Sequence, residues 1–297
     1  MNVHKLKLLV QGGGYYEGPR WHDGRWYVSD FQRHGLFTVT EDGKETLLAD
    51  FPHQSSGLGW LPDGSMLIVS MKDHRLMRRL ANGTLEEYAD LSKFGEGHLN
   101  DMVVSAAGHA YIGQFGFDID GGERPKKTTL LRVAPDKSIS VAADELFFPN
   151  GTVITPDGKT LIVGEALGGR YTAFTVDNDG SLRDRRLWAE VGPMPVLGEF
   201  AETMSQLKAT PDGCCLDEDG GIWMSDPINR RVARVLEGGE ITDVIMAPGD
   251  LYFWACMLGG PDRCTLIISC APGFLDHGRG AGKLYTVRVD IPGAGLP

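Results

Sequence analysis

Four residues far apart in the chain, Glu17, Asn100, Asn150 and Asp212, supply two carboxylates and two carboxamides. Such an all-oxygen donor set suits a hard divalent cation and leaves coordination positions for water or a substrate. Each opens a recurring phrase in which a short strand, a tight turn and a second apolar strand follow one another. Asn150 to Glu165, with its Pro156-Asp157-Gly158 turn, is the clearest copy. The phrase begins at Glu17, Ser56, Asn100, Asn150, Asp212 and Ala255, at intervals of 39, 44, 50, 62 and 43 residues. Singly, Asn-Gly or Asp-Gly is a turn signal. Oxygen donors at one phase of a sixfold repeat are not explained by turns, and the ligand reading is favoured.

A cation held there would polarise a carbonyl, and a carboxylate beside it would serve as general base. Asp212 is the candidate base because its copy is among the most regular, and Glu17 is the competitor. His98, two residues before Asn100, is expected near the same mouth, where it could meet a substrate oxygen; a histidine satisfied by its own loop is the plainer alternative. Asp101 and Ser56 are further candidate substrate contacts. Asp30, Glu165 and Asp226 recur at a second phase and are expected to bridge neighbouring blades. No histidine or cysteine occupies the ring, which disfavours a zinc site built for affinity. Ca2+ suits the set best, with Zn2+, Mg2+ and Mn2+ as alternatives.

What must position these side chains is an all-β, six-bladed β-propeller with a central metal-binding channel, one four-stranded blade per repeat. Residues 1–297 read as one such domain, without a linker or a break in composition. The alternating segments His4–Val10 and Lys283–Val289 are expected to share the last blade and close the ring. Two stretches exceed the regular spacing. Gln114 to Thr129 reads equally as a binding loop or a solvated one; Gly192 to Lys208, with a short helix at Glu199 to Ser205, reads as a lid or rim. No long amphipathic helix stands out.

The formal net charge of −11 argues against nucleic acid, which needs a basic face. No apolar run is long enough to span a bilayer, and the first residues lack a secretory signal. Five cysteines without metal-ligand spacing fit a reduced, cytoplasmic protein. The expected partner is a small molecule, and the expected state a monomer or weak homo-oligomer. The sequence carries no serine nucleophile elbow and no phosphate-binding glycine loop.

Glu17-Gly18-Pro19, His98-Leu99-Asn100-Asp101, Pro149-Asn150-Gly151 and Pro211-Asp212-Gly213 resemble the motifs of the gluconolactonase/senescence-marker-protein (regucalcin-like) family. The resemblance runs from about Tyr16 to about Val289. It implies a six-bladed propeller with one divalent cation held by Glu17, Asn150 and Asp212, and with Asn100 on substrate or metal. The activity it implies is hydrolysis of lactones, with Asp212 as base. The alternatives are an isomerase or dehydratase using the same cation, or a metal-binding propeller without catalysis. One departure matters: His98 stands where sugar lactonases of the family carry arginine. A guanidinium forks onto sugar oxygens and an imidazole does not, so the departure weighs against an aldonolactone more than against the metal. Tyr15, Tyr16, Phe115, Phe117, Phe147 and Phe148 flank the site positions. They hint at a less polar lactone or ester, packing being the alternative.

Overall fold

The computed structural model describes residues 4–273 and 280–295, arranged as six four-stranded antiparallel sheets. In the first five blades the strands follow chain order from the inside outward, beginning at Tyr16–His22, Ser55–Trp60, Leu99–Val104, Pro149–Ile154 and Cys214–Leu216. The sixth begins at Tyr252–Gly259 and takes its outermost strand, Lys7–Gly13, from the other end of the chain. That strand pairs with Gly282–Arg288, Lys7 opposite Thr286 and Gln11 opposite Lys283. The expected shared blade is therefore present, shifted three residues from the predicted segment. Each inner strand packs on the next and the last packs on the first, which closes the ring.

Local chemistry explains the strands. Met66–Ser70 and Thr160–Glu165 are rich in branched apolar residues and almost wholly buried between neighbouring sheets. The turns between them are fixed by their own side chains. Asp157 Oδ1 accepts the Lys159 N–H at 3.0 Å, and Gly158 adopts φ 70°, which glycine reaches at little cost. Apolar side chains fill the spaces between blades: Leu67, Val69, Met102 and Ile112 form part of one cluster, and Trp26, Val28, Ile267 and Ile268 part of another.

The three second-phase acids tie the first, fourth and fifth blades to their neighbours, as expected. Asp30 accepts the Gly14 and Tyr15 N–H groups, Glu165 that of Phe147, and Asp226 that of Thr210. Each is buried, and each holds the segment arriving from the preceding blade. Gln114 fills the same role in the third blade, accepting the Glu96 N–H at 2.8 Å. The insertion after Gly192 contains helix α1 (Phe200–Gln206), one residue from its predicted place. Arg124 of the other insertion donates to Glu199 at 2.6 Å, so the two long stretches are joined. Among the described residues no helix is long and apolar enough to cross a membrane.

Candidate active site

Inner strands break register at or beside the ring positions. Pairing with the second strand shifts between Glu17 and Arg20, between Ser55 and Leu58, between Leu99 and Met102, and between Pro149 and Thr152. A bulge turns the strand and re-aims a side chain. In four blades the next residue is glycine: Gly18, Gly57, Gly151 and Gly213. The reason is space. A Cβ on Gly57 would lie 2.3 Å from the Met102 nitrogen, and one on Gly151 would lie 2.3 Å from the Asp212 carbonyl oxygen. Asp212 lies just before its strand, yet its backbone is held on both sides. Its N–H donates to the Ser225 carbonyl at 3.0 Å, and the Gly213 N–H donates to the Trp254 carbonyl of the next blade at 3.1 Å.

Glu17, Asn100, Asn150 and Asp212 line one cavity of about 290 Å³. Asn150 Nδ2 donates to Asp212 Oδ1 at 2.6 Å, and the Gly213 N–H donates to the same oxygen at 3.0 Å. Asp212 Oδ2 is left for another partner. Glu17 Oε2 accepts the N–H of Gly18 at 3.1 Å. Burial pushes both carboxyl groups above the ordinary carboxylate range; for Glu17 the charge of Asp212 adds to it. Arg20 opposes that rise at Glu17, but its guanidinium is engaged by Asp101 Oδ1 at 2.7 Å and by the Met102 carbonyl at 2.9 Å.

These residues fit a divalent cation. Arg20 and Asp101 cancel, which leaves the two charges of ionised Glu17 and Asp212 to be balanced. The Asn100 carboxamide nitrogen is buried with no hydrogen-bond partner, an arrangement that asks for a ligand or a flipped amide offering oxygen. Among the described residues no three Asp, Glu, His or Cys side chains gather as a metal site. A cation here would depend on the carboxamides.

The other predicted contacts lie elsewhere. Asp101 is buried against Arg20 and does not reach the cavity wall. Ser56 is buried, its carbonyl accepting the Ser29 hydroxyl at 2.7 Å. His98 lies in an adjoining cavity of about 120 Å³, its Nε2 3.1 Å from Asp120 and its ring edge-on to Phe115. Asp101 and Ser56 are thus taken up by the packing of the blades, while His98, which precedes its strand, lines the neighbouring cavity.

The aromatic set divides evenly. Tyr15, Phe115 and Phe148 line the main cavity. Tyr16 donates its hydroxyl to Glu45 at 2.5 Å, Phe117 is fully buried, and Phe147 faces an outer cleft beside Arg170. Sequence reasoning missed the rest of the wall. Phe31, Tyr252 and Trp254 join Tyr15, with Tyr15 stacked on Phe31 at 5.6 Å and set against Trp254 at 5.2 Å. Helix α1 adds Phe200 and Met204, so the second insertion does form part of the rim. Thr210 was also missed: it lines the cavity, is 6% exposed, and its hydroxyl has no partner.

Comparison with known proteins places these observations. Residues 16–272 match the family described as SMP-30/Gluconolactonase/LRE-like region. An L-arabinolactonase of Azospirillum brasilense is 22% identical over 78% of this chain and 73% of its own. Regucalcin of Gallus gallus is 24% identical over 60% of this chain, and the match spans only 56% of that protein. The crystal structure of a calcium-binding protein, regucalcin, from Agrobacterium tumefaciens superposes with a TM-score of 0.80. It is 20% identical, and the superposition covers 99% of this chain and 97% of that one. At that identity the likeness shows the six-bladed fold.

Proposed function

Because the chain belongs to the SMP-30/gluconolactonase/LRE-like family, we propose that it hydrolyses a lactone or similar ester at the floor of the channel. The observation that carries this reading is the convergence of two carboxylates and two carboxamides on one cavity. A divalent cation held by Glu17, Asn150 and Asp212 would supply Lewis-acid polarisation of the lactone carbonyl; Ca2+ suits the donors best, and the calcium-binding neighbour supports that choice. Asn100 orients the substrate oxygen. Asp212 Oδ2 takes a proton from water as the water oxygen bonds to the carbonyl carbon. The ring C–O bond then breaks, the departing alkoxide recovers that proton, and a hydroxy acid leaves. With Oδ1 held by Asn150 and the Gly213 N–H and Oδ2 left open, the Asp212 carboxylate is placed to accept a proton and return it. Tyr15 stays protonated, its phenol held well above the ordinary value by burial and by Glu17 and Asp212.

The test is Asp212→Asn, in which the amide can replace the carboxylate without a change of volume. Its kcat/KM for lactone hydrolysis should fall by roughly 100-fold or more, the usual worth of a positioned base. Added Ca2+ should raise the Tm of the parent protein and raise that of the variant much less, since a cation at 100 times its Kd stabilises by about 2.7 kcal/mol. A variant that hydrolyses lactones as fast as the parent would sink the proposed role of Asp212.

A further inference from the structure

We infer that the substrate is a lactone or cyclic ester whose body is an aryl or alkyl group, and that polyhydroxylated sugar lactones are disfavoured. This rests on the hydrolytic reading above and narrows it. The cavity is polar only in parts: Glu17, Asn100, Asn150 and Asp212 gather at the inner strands, and Thr210, Tyr15 and Tyr252 add hydroxyls at the edges of otherwise apolar surface. Much of the remaining wall is aromatic or aliphatic. On one side Tyr15, Phe31 and Trp254 pack together; on the other Phe115 and Phe148 meet at 4.3 Å between ring centres. Met204 of α1 adds a flexible apolar side chain to the same wall.

A sugar lactone carries a hydroxyl on most of its carbons, and each must find a partner or be buried without one. Among the described residues, no lysine, arginine, histidine or glutamine lines the cavity. His98 lies in the adjoining cavity and is engaged by Asp120. None of the described wall residues offers a guanidinium fork to hold a row of hydroxyls. A flat or branched apolar body needs none of these, and each methylene it buries is worth up to roughly tenfold or more in discrimination. The described part of the site therefore presents one polar end for the reacting ester group and a largely apolar sleeve for the remainder.

The experiment has a kinetic and a binding arm on the full-length protein. In the first, Ca2+-loaded enzyme is given dihydrocoumarin, δ-decanolactone, unsubstituted δ-valerolactone and D-glucono-δ-lactone. The expected kcat/KM for the aryl and long-chain lactones exceeds that for δ-valerolactone by at least about 10-fold, with gluconolactone last. In the second, calorimetry compares the metal-free protein with dihydroquinolinone and with gluconolactam, the unreactive lactams of two of those compounds. The aryl lactam should bind at least about 10-fold more tightly. Gluconolactone as the best substrate would overturn the inference and leave the hydrolytic reading standing. No turnover of any lactone, beside preferred binding of the aryl lactam, would overturn the hydrolytic reading alone. Equal or weaker binding of the aryl lactam would overturn the inference whatever the kinetics.

Discussion

Thr210 shows what a single side chain can reveal. Its N–H is held by Asp226 at 3.1 Å, but its hydroxyl faces the cavity with no partner. A buried hydroxyl left unsatisfied costs stability, so its replacement by an isosteric methyl should not harm the fold. Thr210→Val is therefore expected to keep or slightly raise the Tm while increasing KM for lactones by roughly 3- to 10-fold, the worth of one hydrogen bond. Thermal denaturation and initial-rate kinetics check the two halves, and a lowered Tm with unaltered KM would mean the hydroxyl serves the fold. The sequence did not reveal Thr210 because the residue two before each ring position changes type from blade to blade, Tyr15, His98 and Phe148 standing where Thr210 does, and so carries no repeated chemical signal. Glu17, Asn150 and Asp212 were legible for the opposite reason: each opens its own blade. His98 and Asp101 show the limit of that reading. Adjacency to Asn100 in sequence says nothing about direction once a strand bulges.

At the scale of the strand, the glycine that follows four of the six ring positions carries the argument. Turn chemistry was the obvious explanation for Asn150-Gly151 and Asp212-Gly213, but both pairs lie at contacts between inner strands of adjacent blades. Gly57 tests this directly. An added methyl would lie 2.3 Å from the Met102 nitrogen and 2.7 Å from the Asp101 carbonyl carbon, backbone atoms that cannot swing aside. Gly57→Ala should destabilise the protein by about 3 kcal/mol or more, the upper part of the range for overpacking. Gly64 is the control. It sits at a turn with φ 80° and open space around it, so Gly64→Ala should cost only about 1–2 kcal/mol, from the left-handed backbone alone. Urea denaturation of both variants decides, and equal losses would refute close strand approach as the reason for the glycine. The strands and their order followed from the sequence because short apolar runs between turn residues leave little choice. The register breaks did not, since a bulge is fixed by contacts with a strand some forty residues away.

The ring as a whole is closed by one strand. Without Lys7–Gly13 the sixth blade would end at Gly282–Arg288, with an unpaired row of backbone groups at its edge. The N-terminal segment also fastens blades together: His4 Nε2 lies 2.8 Å from Asp243 of the fifth blade, and Val10 is buried in the cluster shared by the first, fifth and sixth. Closure matters to the site because Glu17, Asn100, Asn150 and Asp212, which line the cavity, come from blades one, three, four and five, and none of those blades encloses it alone. Removal of residues 1–11 should therefore do more than trim an edge. An exposed edge strand pairs with other chains, so the truncated protein is expected to self-associate. Its Tm should fall by at least about 5 °C, as a loss of several kcal/mol implies for a protein of this size. The inner strands would lose their common brace, and Ca2+ should then stabilise the truncated protein less than the parent. Light scattering, thermal denaturation and the Ca2+-induced shift measure the three effects. A monomeric truncated protein with the parent's Tm and the parent's response to Ca2+ would show that the other blades hold the channel without the shared strand.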